Sequence, residues 1–567
     1  MPIVRPAPSQ PATADPSKSG ITARVAQRVR SLTGWQHCAA ALFAGTLSVL
    51  AMAPFFLWPV LFFTLPAFVW LLDAAIAPPS RVPTGRRRRR LAHPAVQAAR
   101  TGWWFGFGYF LAGLFWIGEA FLVEAETFAV LLPFAVLLMP AGLALFWALA
   151  SAVAALAWRP GAPRVLALAL ALSGAEWLRG HILSGFPWNI LGYALTYPLA
   201  FMQSAAVLGI YGLTLVAVLV FAAPAVLAAD ADQGRISDPW RWAGGLGAGL
   251  LLATLGVWGS VRLAIREPPA ATGIQVRLVH PSIVQREKWR PENQERIFGE
   301  HIGLSIRNAA GVEDGAKGVH LIVWPEAAMP FLPLSSPGAL AAIGRMLPEG
   351  GHLASGALRL DPAVPTVPGS RRRVYNSLLV FGAGGRLVDT YDKNHLVPFG
   401  EYLPLQTLLE AIGLEQLSRM RGGFEPGVKP RNLLSIPGMP PLGPLVCYEA
   451  IFPGAIVQGG VRPAALINVT NDGWFGNTTG PRQHLHQARV RAVEEGLPVL
   501  RAANNGISAV IDARGRLLAR LDLDSVGVID SVLPPALPAP LYARLGDWLF
   551  FGLWLGGFSL LIMGRRR

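Results

Sequence analysis

The chain has 567 residues, of which 52% are hydrophobic and only 15% are charged. About a quarter of the residues in an ordinary soluble protein are charged, so this composition excludes a chain made only of soluble domains. The net charge of +15 could indicate nucleic-acid binding. However, the basic runs at residues 86–90 and 565–567 adjoin apolar segments, where basic residues set membrane topology. We therefore expect a membrane protein that binds no nucleic acid.

Eight apolar segments are long enough to cross the hydrocarbon core of a membrane, which takes about 20 residues in a helix. They are residues 35–53, 56–77, 102–123, 127–157, 163–179, 199–229, 242–263 and 544–563. The fourth and sixth are longer than a bilayer requires, which predicts tilted helices or helices that extend beyond the bilayer. The loop 180–198 is aromatic and broken by Gly and Pro, and we interpret it either as an interfacial belt or as part of a lipid-facing vestibule.

The basic residues between the spans predict their orientation. Arg24, Arg28 and Arg30, the run 86–90 and the tail 565–567 all fall on one side of the membrane if the N-terminus is cytoplasmic. Both termini are then cytoplasmic, and the long polar segment lies outside the cytoplasm. This divides the chain into an N-terminal tail, a bundle of seven membrane helices, an outer domain and a C-terminal helix with a basic tail, at residues 1–34, 35–263, 264–543 and 544–567.

The outer segment alternates short apolar runs with loops and a few helical stretches, as in a layered α/β domain. Strands are predicted at residues 274–279, 320–324, 352–357, 375–381, 444–447, 465–469 and 507–511. Helices are predicted at residues 291–308 and 480–495, the first because Pro and Glu suit a helix start. The expected fold is a multi-span α-helical membrane bundle with an α/β domain outside the membrane.

Three segments of the outer domain lead from an apolar run to a reactive side chain, namely Glu326, Lys393 and Cys447. A buried strand that ends in such a residue holds it rigidly at the rim of a sheet, where the sites of α/β domains commonly form. A thiol attacks as the thiolate, a carboxylate can take its proton, and an ammonium group can stabilise the oxyanion of a tetrahedral intermediate. The three residue types together are suited to nucleophilic catalysis by a cysteine.

Each of these residues also has an ordinary structural explanation. Cys447 alone would more often be a buried structural cysteine, and an isolated Glu or Lys would more often be a surface charge. His484 and His486 form an H-x-H pair on a predicted helix, where they face apart, so no metal-ligand spacing competes with the catalytic interpretation. Cys38 lies in the first apolar span and Cys447 in the polar domain, so we expect no disulfide between them.

The motifs around the three reactive residues resemble those of a known family. Glu326 stands in W-P-E, Lys393 in K-x-H-L-V-P-F-G-E-Y and Cys447 in C-Y-E, a set similar to the Glu-Lys-Cys triad of the nitrilase superfamily. Seven spans before this set and one after it resemble the apolipoprotein N-acyltransferase family, the membrane-bound branch of that superfamily. The motifs at residues 468–475 and 501–506 are further matches.

The resemblance implies the αββα sandwich of nitrilases for the outer domain, and a two-step acyl transfer. A phospholipid, typically phosphatidylethanolamine, would give its sn-1 acyl chain to Cys447 as a thioester. The amine of the S-diacylglyceryl cysteine of an apolipoprotein would then take the chain. Glu326 would be the general base and Lys393 the oxyanion stabiliser, with no cofactor and no metal. The enzyme would act as a monomer in the bacterial inner membrane, with its catalytic domain in the periplasm.

The resemblance also implies roles for residues around the triad. Glu401 would support Lys393 and the transition state, and Tyr448 and Glu449 would flank the nucleophile. Trp289 resembles a mobile-loop tryptophan near the entrance. Substrate-binding roles are expected for Trp289, Phe399, Asn471 and Trp474.

Two other functions stay open from the residues alone. A membrane-tethered amidase or nitrilase that hydrolyses a small C–N bond could use the same triad, although it would not need a multi-span bundle. A receptor or transporter could carry a non-catalytic nitrilase-like domain, although the intact Glu326, Lys393 and Cys447 argue against it.

Overall fold

The computed structural model describes residues 21–77, 93–227, 240–265, 273–361, 373–411, 413, 416–418, 423–458 and 460–564. The basic runs at residues 86–90 and 565–567, on which the predicted orientation partly depends, lie outside the described residues. Long helices make up the N-terminal part and the C-terminal end of the described chain, and its strands fall between them.

An apolar helix lies in each of the eight predicted spans. Their bounds are Gly34–Ser48, Leu61–Ile76, Pro94–Leu114, Leu132–Ala155, Ala162–His181, Ala205–Ala222, Trp240–Ala264 and Trp548–Met563. Five stretches of the described chain are long and apolar enough to cross a membrane, namely Trp58–Ile76, Pro94–Leu122, Ala125–Ala155, Ala205–Leu227 and Gly244–Ala264. The helices of the first, fifth and eighth predicted spans are shorter or carry more charge, so for these three the crossing stays a prediction.

The two overlong spans differ in continuity, and the predicted tilt or extension beyond the bilayer stays a prediction. In the fourth, the short helix Ala125–Phe128 and the 3-10 turn Ala129–Leu131 run directly into the long helix, so Ala125–Ala155 is one stretch of 31 residues. In the sixth, Leu199–Met202 is a separate helix, and the long helix bends at Gly209, where φ is 60°. The ring of Tyr542 lies 2.1 Å from the place that a Cβ atom at Gly209 would take, so only glycine fits this bend.

The outer domain contains eleven described strands in two sheets. The strands are β1 Gln275–His280, β2 Leu321–Trp324, β3 His352–Leu360, β4 Val374–Phe381, β5 Leu387–Asp392, β6 Leu442–Val446, β7 Ala465–Asn471, β8 Val499–Asn504, β9 Ser508–Ile511, β10 Leu517–Leu521 and β11 Gly527–Val532. The six-stranded sheet has the order β11-β1-β2-β3-β4-β5, and the five-stranded sheet has the order β10-β9-β8-β7-β6. The central strands β1–β3 and β6–β8 run parallel, and the outer strands pair antiparallel.

Helices cover both outer faces of this sandwich. An apolar core that includes Val323 and Val446 fills the space between the sheets. The six-stranded sheet packs its other face on the helices Gln294–Ser305 and Pro337–Met346, and the five-stranded sheet packs on the helix Gly480–Glu495. The layer order is therefore helix, sheet, sheet, helix.

The helix Gly480–Glu495 lies between the five-stranded sheet and the membrane bundle. Its Val490 and Val493 belong to the same apolar core as Ile210 of the bundle. The backbone N–H of Ile210 also donates to Oε1 of Glu494 at 2.9 Å. The bundle and the outer domain therefore share one packed interface, to which this helix and the residues Tyr448, Ile451 and Phe452 contribute.

The seven predicted strands and both predicted helices are present, but the prediction was incomplete. It missed four strands, β5, β8, β10 and β11, and the helices Pro337–Met346 and Gln406–Ala411. Of the helix predicted at residues 291–308, Pro291–Asn293 is a 3-10 turn, and the α-helix spans Gln294–Ser305.

The loop 180–198 folds beneath the outer domain. Trp188 is only 1% exposed, and the 3-10 segment Leu191–Thr196 is buried throughout. An interfacial aromatic belt would instead expose its rings to the headgroups. The burial of Trp188 therefore favours the interpretation in which this loop lies under the outer domain, whereas a lipid-facing vestibule there stays a prediction.

Candidate active site

The ends of three strands deliver the three predicted reactive residues to one place. Glu326 follows β2 after Pro325, Lys393 directly follows β5, and Cys447 directly follows β6. The first two strands belong to the six-stranded sheet and the third to the five-stranded sheet. All three residues are buried, and the charges of Glu326 and Lys393 both act on the Cys447 thiol. The sandwich therefore assembles the site from both of its sheets.

Lys393 lies between two glutamates, but it is not bonded equally to them. Its Nζ is 2.9 Å from Oε2 and 3.0 Å from Oε1 of Glu401. The shortest distance from Nζ to Glu326, to Oε1, is 3.7 Å, which is too long for a good hydrogen bond. The ammonium group is therefore held by Glu401, as a supporting glutamate would hold it.

Asn376, in β4, joins the two glutamates. Its side-chain N–H groups donate to Oε1 of Glu326 and to Oε1 of Glu401, each at 2.8 Å. Glu401 also accepts the backbone N–H of Val397 at 2.8 Å on its other oxygen. Glu401 is thus fixed on both oxygens, whereas Glu326 accepts one side-chain hydrogen bond within the described residues and can accept a proton more readily.

The pKa shifts in the buried cluster agree with Glu326 as the proton acceptor and Lys393 as the cation. Burial raises the pKa of Glu326, and the nearby Lys393 only partly opposes the rise. Burial alone would lower the pKa of Lys393, but Glu401 and Glu326 more than offset it, so the pKa is raised and the lysine stays an ammonium ion. Burial and the charge of Glu326 raise the pKa of the Cys447 thiol, which Lys393 opposes. These directions favour a thiol on Cys447, an ammonium ion on Lys393 and a carboxyl group with increased affinity for a proton on Glu326.

The backbone of Cys447 adopts a conformation that is rare outside glycine. Its φ is 51°, in the left-handed region, directly after β6. Such strain persists only where the surrounding structure holds it, and it is common at functional sites. The sharp turn projects the side chain away from the strand, between the two sheets.

Glu449 bonds the end of β6, just before the nucleophile, to the segment that follows Lys393. Its Oε2 accepts the backbone N–H of Val446 at 2.8 Å, and its Oε1 accepts that of Asn394 at 2.9 Å. Arg431 forms a buried ion pair with the same carboxylate at 3.2 Å. This fully buried glutamate therefore fixes the position of the Cys447 turn against the segment that follows Lys393.

Tyr448 faces the membrane bundle. Its hydroxyl donates to the carbonyl oxygen of Gly185 at 2.9 Å, and its ring contacts Phe186. His395, which packs against the Tyr448 ring, has Nε2 2.7 Å from the carbonyl oxygen of Ser184. The active site therefore lies directly above the loop that follows the helix Ala162–His181.

The four residues with predicted substrate-binding roles differ in exposure. Trp289 is 43% exposed and Phe399 is 56% exposed, so both can meet a substrate at the surface. Trp474 is half-buried. Asn471 is buried, and its amide is bonded to Gln285 at 2.7 Å and to Asn504 at 3.0 Å. Asn471 thus serves internal contacts in this structure, and the substrate roles of all four stay predictions.

Several residues that surround Glu326, Lys393 and Cys447 were not predicted from the sequence to belong to the site. Asn376 stands within an otherwise strand-like run, and an amide side chain in a mostly apolar strand is the signal that could have indicated it. Lys288 is fully buried, donates from Nζ to the carbonyl oxygen of Glu326 at 3.0 Å, and has its pKa lowered to about 8 by burial. Asp472 and His484 lie behind Cys447, and nothing local in the sequence pairs them.

Cys447, Asp472 and His484 each place a possible metal-ligand atom within 4.8 Å of the others. However, the Asp472 carboxylate is already engaged, since Oδ2 accepts from Arg501 at 2.7 Å and Oδ1 accepts from Thr470 at 2.9 Å. Nδ1 of His484 lies 2.8 Å from the same Oδ1. A cation would have to displace these contacts beside a guanidinium group, so the arrangement fits a hydrogen-bonded support better than a metal site.

Both parts of the chain match known families. Residues 284–537 match the carbon-nitrogen hydrolase family, and residues 44–223 match the apolipoprotein N-acyltransferase N-terminal domain. The apolipoprotein N-acyltransferase of Rhodopseudomonas palustris is 47% identical over 94% of this chain and 96% of its own length. The apolipoprotein N-acyltransferase of Bradyrhizobium diazoefficiens is 46% identical over 91% of this chain and 92% of its own length. That of Brucella suis biovar 1 is 44% identical over 96% of this chain and 99% of its own length. A crystal structure of a carbon-nitrogen hydrolase from Helicobacter pylori G27 is 15% identical, with a TM-score of 0.33, over 46% of this chain and 88% of that chain.

The sandwich, the buried cysteine and the matching domain define the outer part as a carbon-nitrogen hydrolase domain of the nitrilase superfamily. The sequence identity to the three relatives, over nearly the whole chain, identifies the family more closely. The chain belongs to the apolipoprotein N-acyltransferase family, and it is an acyltransferase with the apolar helices of a membrane protein. The family that the motifs predicted is confirmed.

Proposed function

We propose that the protein moves a fatty acyl chain from a phospholipid to a thioester on Cys447, and from there to the N-terminal amine of the S-diacylglyceryl cysteine of an apolipoprotein, the last step of lipoprotein maturation. The observation that carries this proposal is the buried cluster of Lys393, Glu401, Asn376 and Glu326 beside a buried thiol. The acyl donor is proposed to be phosphatidylethanolamine, and the enzyme is proposed to act as a monomer without a cofactor.

In the first half-reaction, Glu326 takes the proton of the Cys447 thiol as the sulfur attacks the sn-1 ester carbonyl. The tetrahedral intermediate carries an oxyanion, which the Lys393 ammonium stabilises in a site screened from water. When the C–O bond breaks, Glu326 returns the proton to the glycerol oxygen. The products are the acyl-thioester and a lysophospholipid.

In the second half-reaction, the apolipoprotein amine attacks the thioester carbonyl. Glu326 takes a proton from the attacking nitrogen, and Lys393 again stabilises the oxyanion. The C–S bond breaks, the sulfur leaves, and the proton passes from Glu326 to the thiolate. The site returns to its starting protonation state, so the same residues serve both halves.

Contacts with the membrane bundle support a lipid donor. Tyr448, next to the nucleophile, is bonded to Gly185 of the loop beneath the domain. Apolar side chains are exposed along the segment after Lys393, including Phe399, Leu405 at 76% and Leu408 at 60%. Exposed apolar side chains concentrated in one segment suit a lipid or membrane contact.

The proposed orientation places both termini in the cytoplasm and the catalytic domain in the periplasm of the bacterial inner membrane. It is supported by basic residues before the first span, such as Arg24 and Arg28. A phosphatase reporter fused at Leu360 should be active, and one fused after residue 567 should be inactive. The opposite pattern would refute this orientation.

The test of the reaction is intact-protein mass spectrometry after incubation with phosphatidylethanolamine alone. We expect one acyl adduct that maps to Cys447, together with release of lysophospholipid. The Cys447→Ala variant should form no adduct. The matched control is Cys38→Ala, since Cys38 is the second cysteine and is also buried and free, and this variant should be acylated like the parent.

The amidase alternative gives a different result in the same experiment. A parent protein that releases ammonia from simple amides, and never forms an acyl adduct from phospholipid, would overturn the proposal. A receptor or transporter role would instead be indicated if Cys447→Ala fully complemented a strain that lacks apolipoprotein N-acyltransferase activity.

A further inference from the structure

Behind the nucleophile, the helix Gly480–Glu495 carries two adjacent buried polar residues, Gln483 and His484, which have different partners. Gln483 faces the membrane bundle. Its Oε1 accepts the indole N–H groups of Trp116 at 3.1 Å and Trp188 at 2.8 Å. Its Nε2 donates to the carbonyl oxygen of Ala53 at 3.3 Å. One buried amide thus joins three separate segments of the N-terminal part to this helix.

His484 faces the nucleophile instead. Its Nε2 lies 3.2 Å from the carbonyl oxygen of Cys447, and its Nδ1 lies 2.8 Å from Oδ1 of Asp472. Arg501 holds the other carboxylate oxygen at 2.7 Å and lies 3.2 Å from Nδ1. The imidazole ring is therefore fixed between a buried ion pair and the peptide group of the nucleophile.

The peptide that His484 contacts is the strained one. Cys447 has a φ of 51°, and this conformation needs support from its surroundings. Glu449 supplies that support from within the same turn. His484 supplies it from a different element, the helix that packs on the bundle, so the turn is fixed relative to the membrane part as well as to its own strand.

We propose that Gln483 and His484 are positioning residues that together set the place of Cys447 relative to the membrane bundle. Gln483 fixes the helix against the bundle. His484 contacts the carbonyl oxygen of Cys447 from the same helix, so the nucleophile is held at a fixed place relative to the bundle. Neither residue touches the reacting atoms. The consequence is that a lipid ester presented by the bundle meets the sulfur at a defined distance. This inference rests on the proposed acyl transfer.

The test uses the full-length protein in nanodiscs that contain phosphatidylethanolamine, and it follows acyl-Cys447 over time by mass spectrometry. A displacement of about 1 Å can cost about a hundred-fold in rate, so His484→Leu should lower the rate at saturating lipid by about that factor. The lipid concentration that gives half the maximal rate should change little, because positioning acts on the chemical step. His484→Gln keeps an amide N–H near the place of Nε2 and should restore most of the rate.

The matched control is His486→Leu. His486 lies on the same helix, is equally buried, and has Nε2 2.6 Å from Oγ1 of Thr196 in the N-terminal part, away from Cys447. Its loss should affect folding as much as the loss of His484. However, the three hydrogen bonds of Gln483 still fix the helix against the bundle, so the acylation rate of the folded protein should stay near that of the parent. Gln483→Leu should lower the rate, and the double variant with His484→Leu should lose less than the product of the two single effects.

A second readout needs no lipid. The rate at which iodoacetamide alkylates Cys447, followed against pH, should shift in His484→Leu and stay unchanged in His486→Leu. Equal acylation rates for the folded His484→Leu and His486→Leu proteins would overturn the inference, and so would identical alkylation profiles. A parent protein that forms no acyl-Cys447 would instead refute the proposed function, and the alkylation profiles would still decide between positioning and a purely structural role.

Discussion

Replacing Lys393 by methionine is the most direct test of the charge arrangement in the site. The ammonium group is 1% exposed, is bonded to Glu401 at 2.9 Å, and lies 3.7 Å from Glu326. Methionine fills much of the same volume without the charge. Loss of one group that stabilises an oxyanion costs about 10²–10³ in rate, or ~3–4 kcal/mol. We therefore expect acyl-Cys447 formation to slow by about that factor.

The same substitution should make stability depend on pH. Removal of one partner from a buried ion pair costs about 3–5 kcal/mol, because the remaining charge is left uncompensated. In the parent, burial raises the pKa of Glu326 and Lys393 opposes the rise, so the pKa should rise further in the variant. A carboxyl group whose folded-state pKa lies above its unfolded value stabilises the protein at low pH, and that stability is lost as the pH rises through the folded-state pKa. The cost of Lys393→Met should therefore be small near pH 5 and larger near about pH 8.

The assay is thermal unfolding in detergent micelles over this pH range, combined with the acylation rate of the folded protein. Lys317→Met is the control, since Lys317 is an exposed lysine of the same domain. It should leave both the melting temperature and the rate unchanged. A Lys393→Met protein that acylates within about ten-fold of the parent would refute the oxyanion role. If the difference in melting temperature between Lys393→Met and the parent does not depend on pH, the predicted proton uptake by a carboxyl group is refuted.

Three further outcomes are expected. Asn376→Leu removes the donor shared by Glu326 and Glu401. Oε1 of Glu401 keeps Lys393 as a donor, but buried Glu326 loses its side-chain hydrogen bond, so the melting temperature should fall by an amount that corresponds to about 1–3 kcal/mol. Tyr448→Phe deletes the hydrogen bond to Gly185 and should lower the acylation rate more than the melting temperature, measured on the same preparation. Burial and the charge of Glu326 raise the pKa of the Cys447 thiol, so its alkylation by iodoacetamide should be slow at neutral pH and still rising above pH 9. A rate that levels off near pH 7 would contradict this.

The sequence by itself determined the elements whose signals are local. β2 and β6 are short apolar runs that are buried along their whole length, so they were predicted without knowledge of their neighbours. The helix Gly480–Glu495 ends at the residue that was predicted, and in the structure Gly496 follows it in the left-handed conformation typical of a helix C-terminus. β5 and β10 were not predicted, because both are half-exposed and contain polar residues. Neither therefore forms the single apolar run that indicates a buried strand.

Only the tertiary structure decided which polar residues meet. The motifs indicated Glu326, Lys393 and Cys447, but Asn376 between the glutamates became apparent only when β4 paired beside β5. His484 was predicted to face away from His486, and it does, yet its contact with Cys447 depends on how a helix packs on a sheet. Strand and helix tendencies are set by neighbouring residues, whereas these contacts join distant segments and are selected by the packing of the whole sandwich against the bundle.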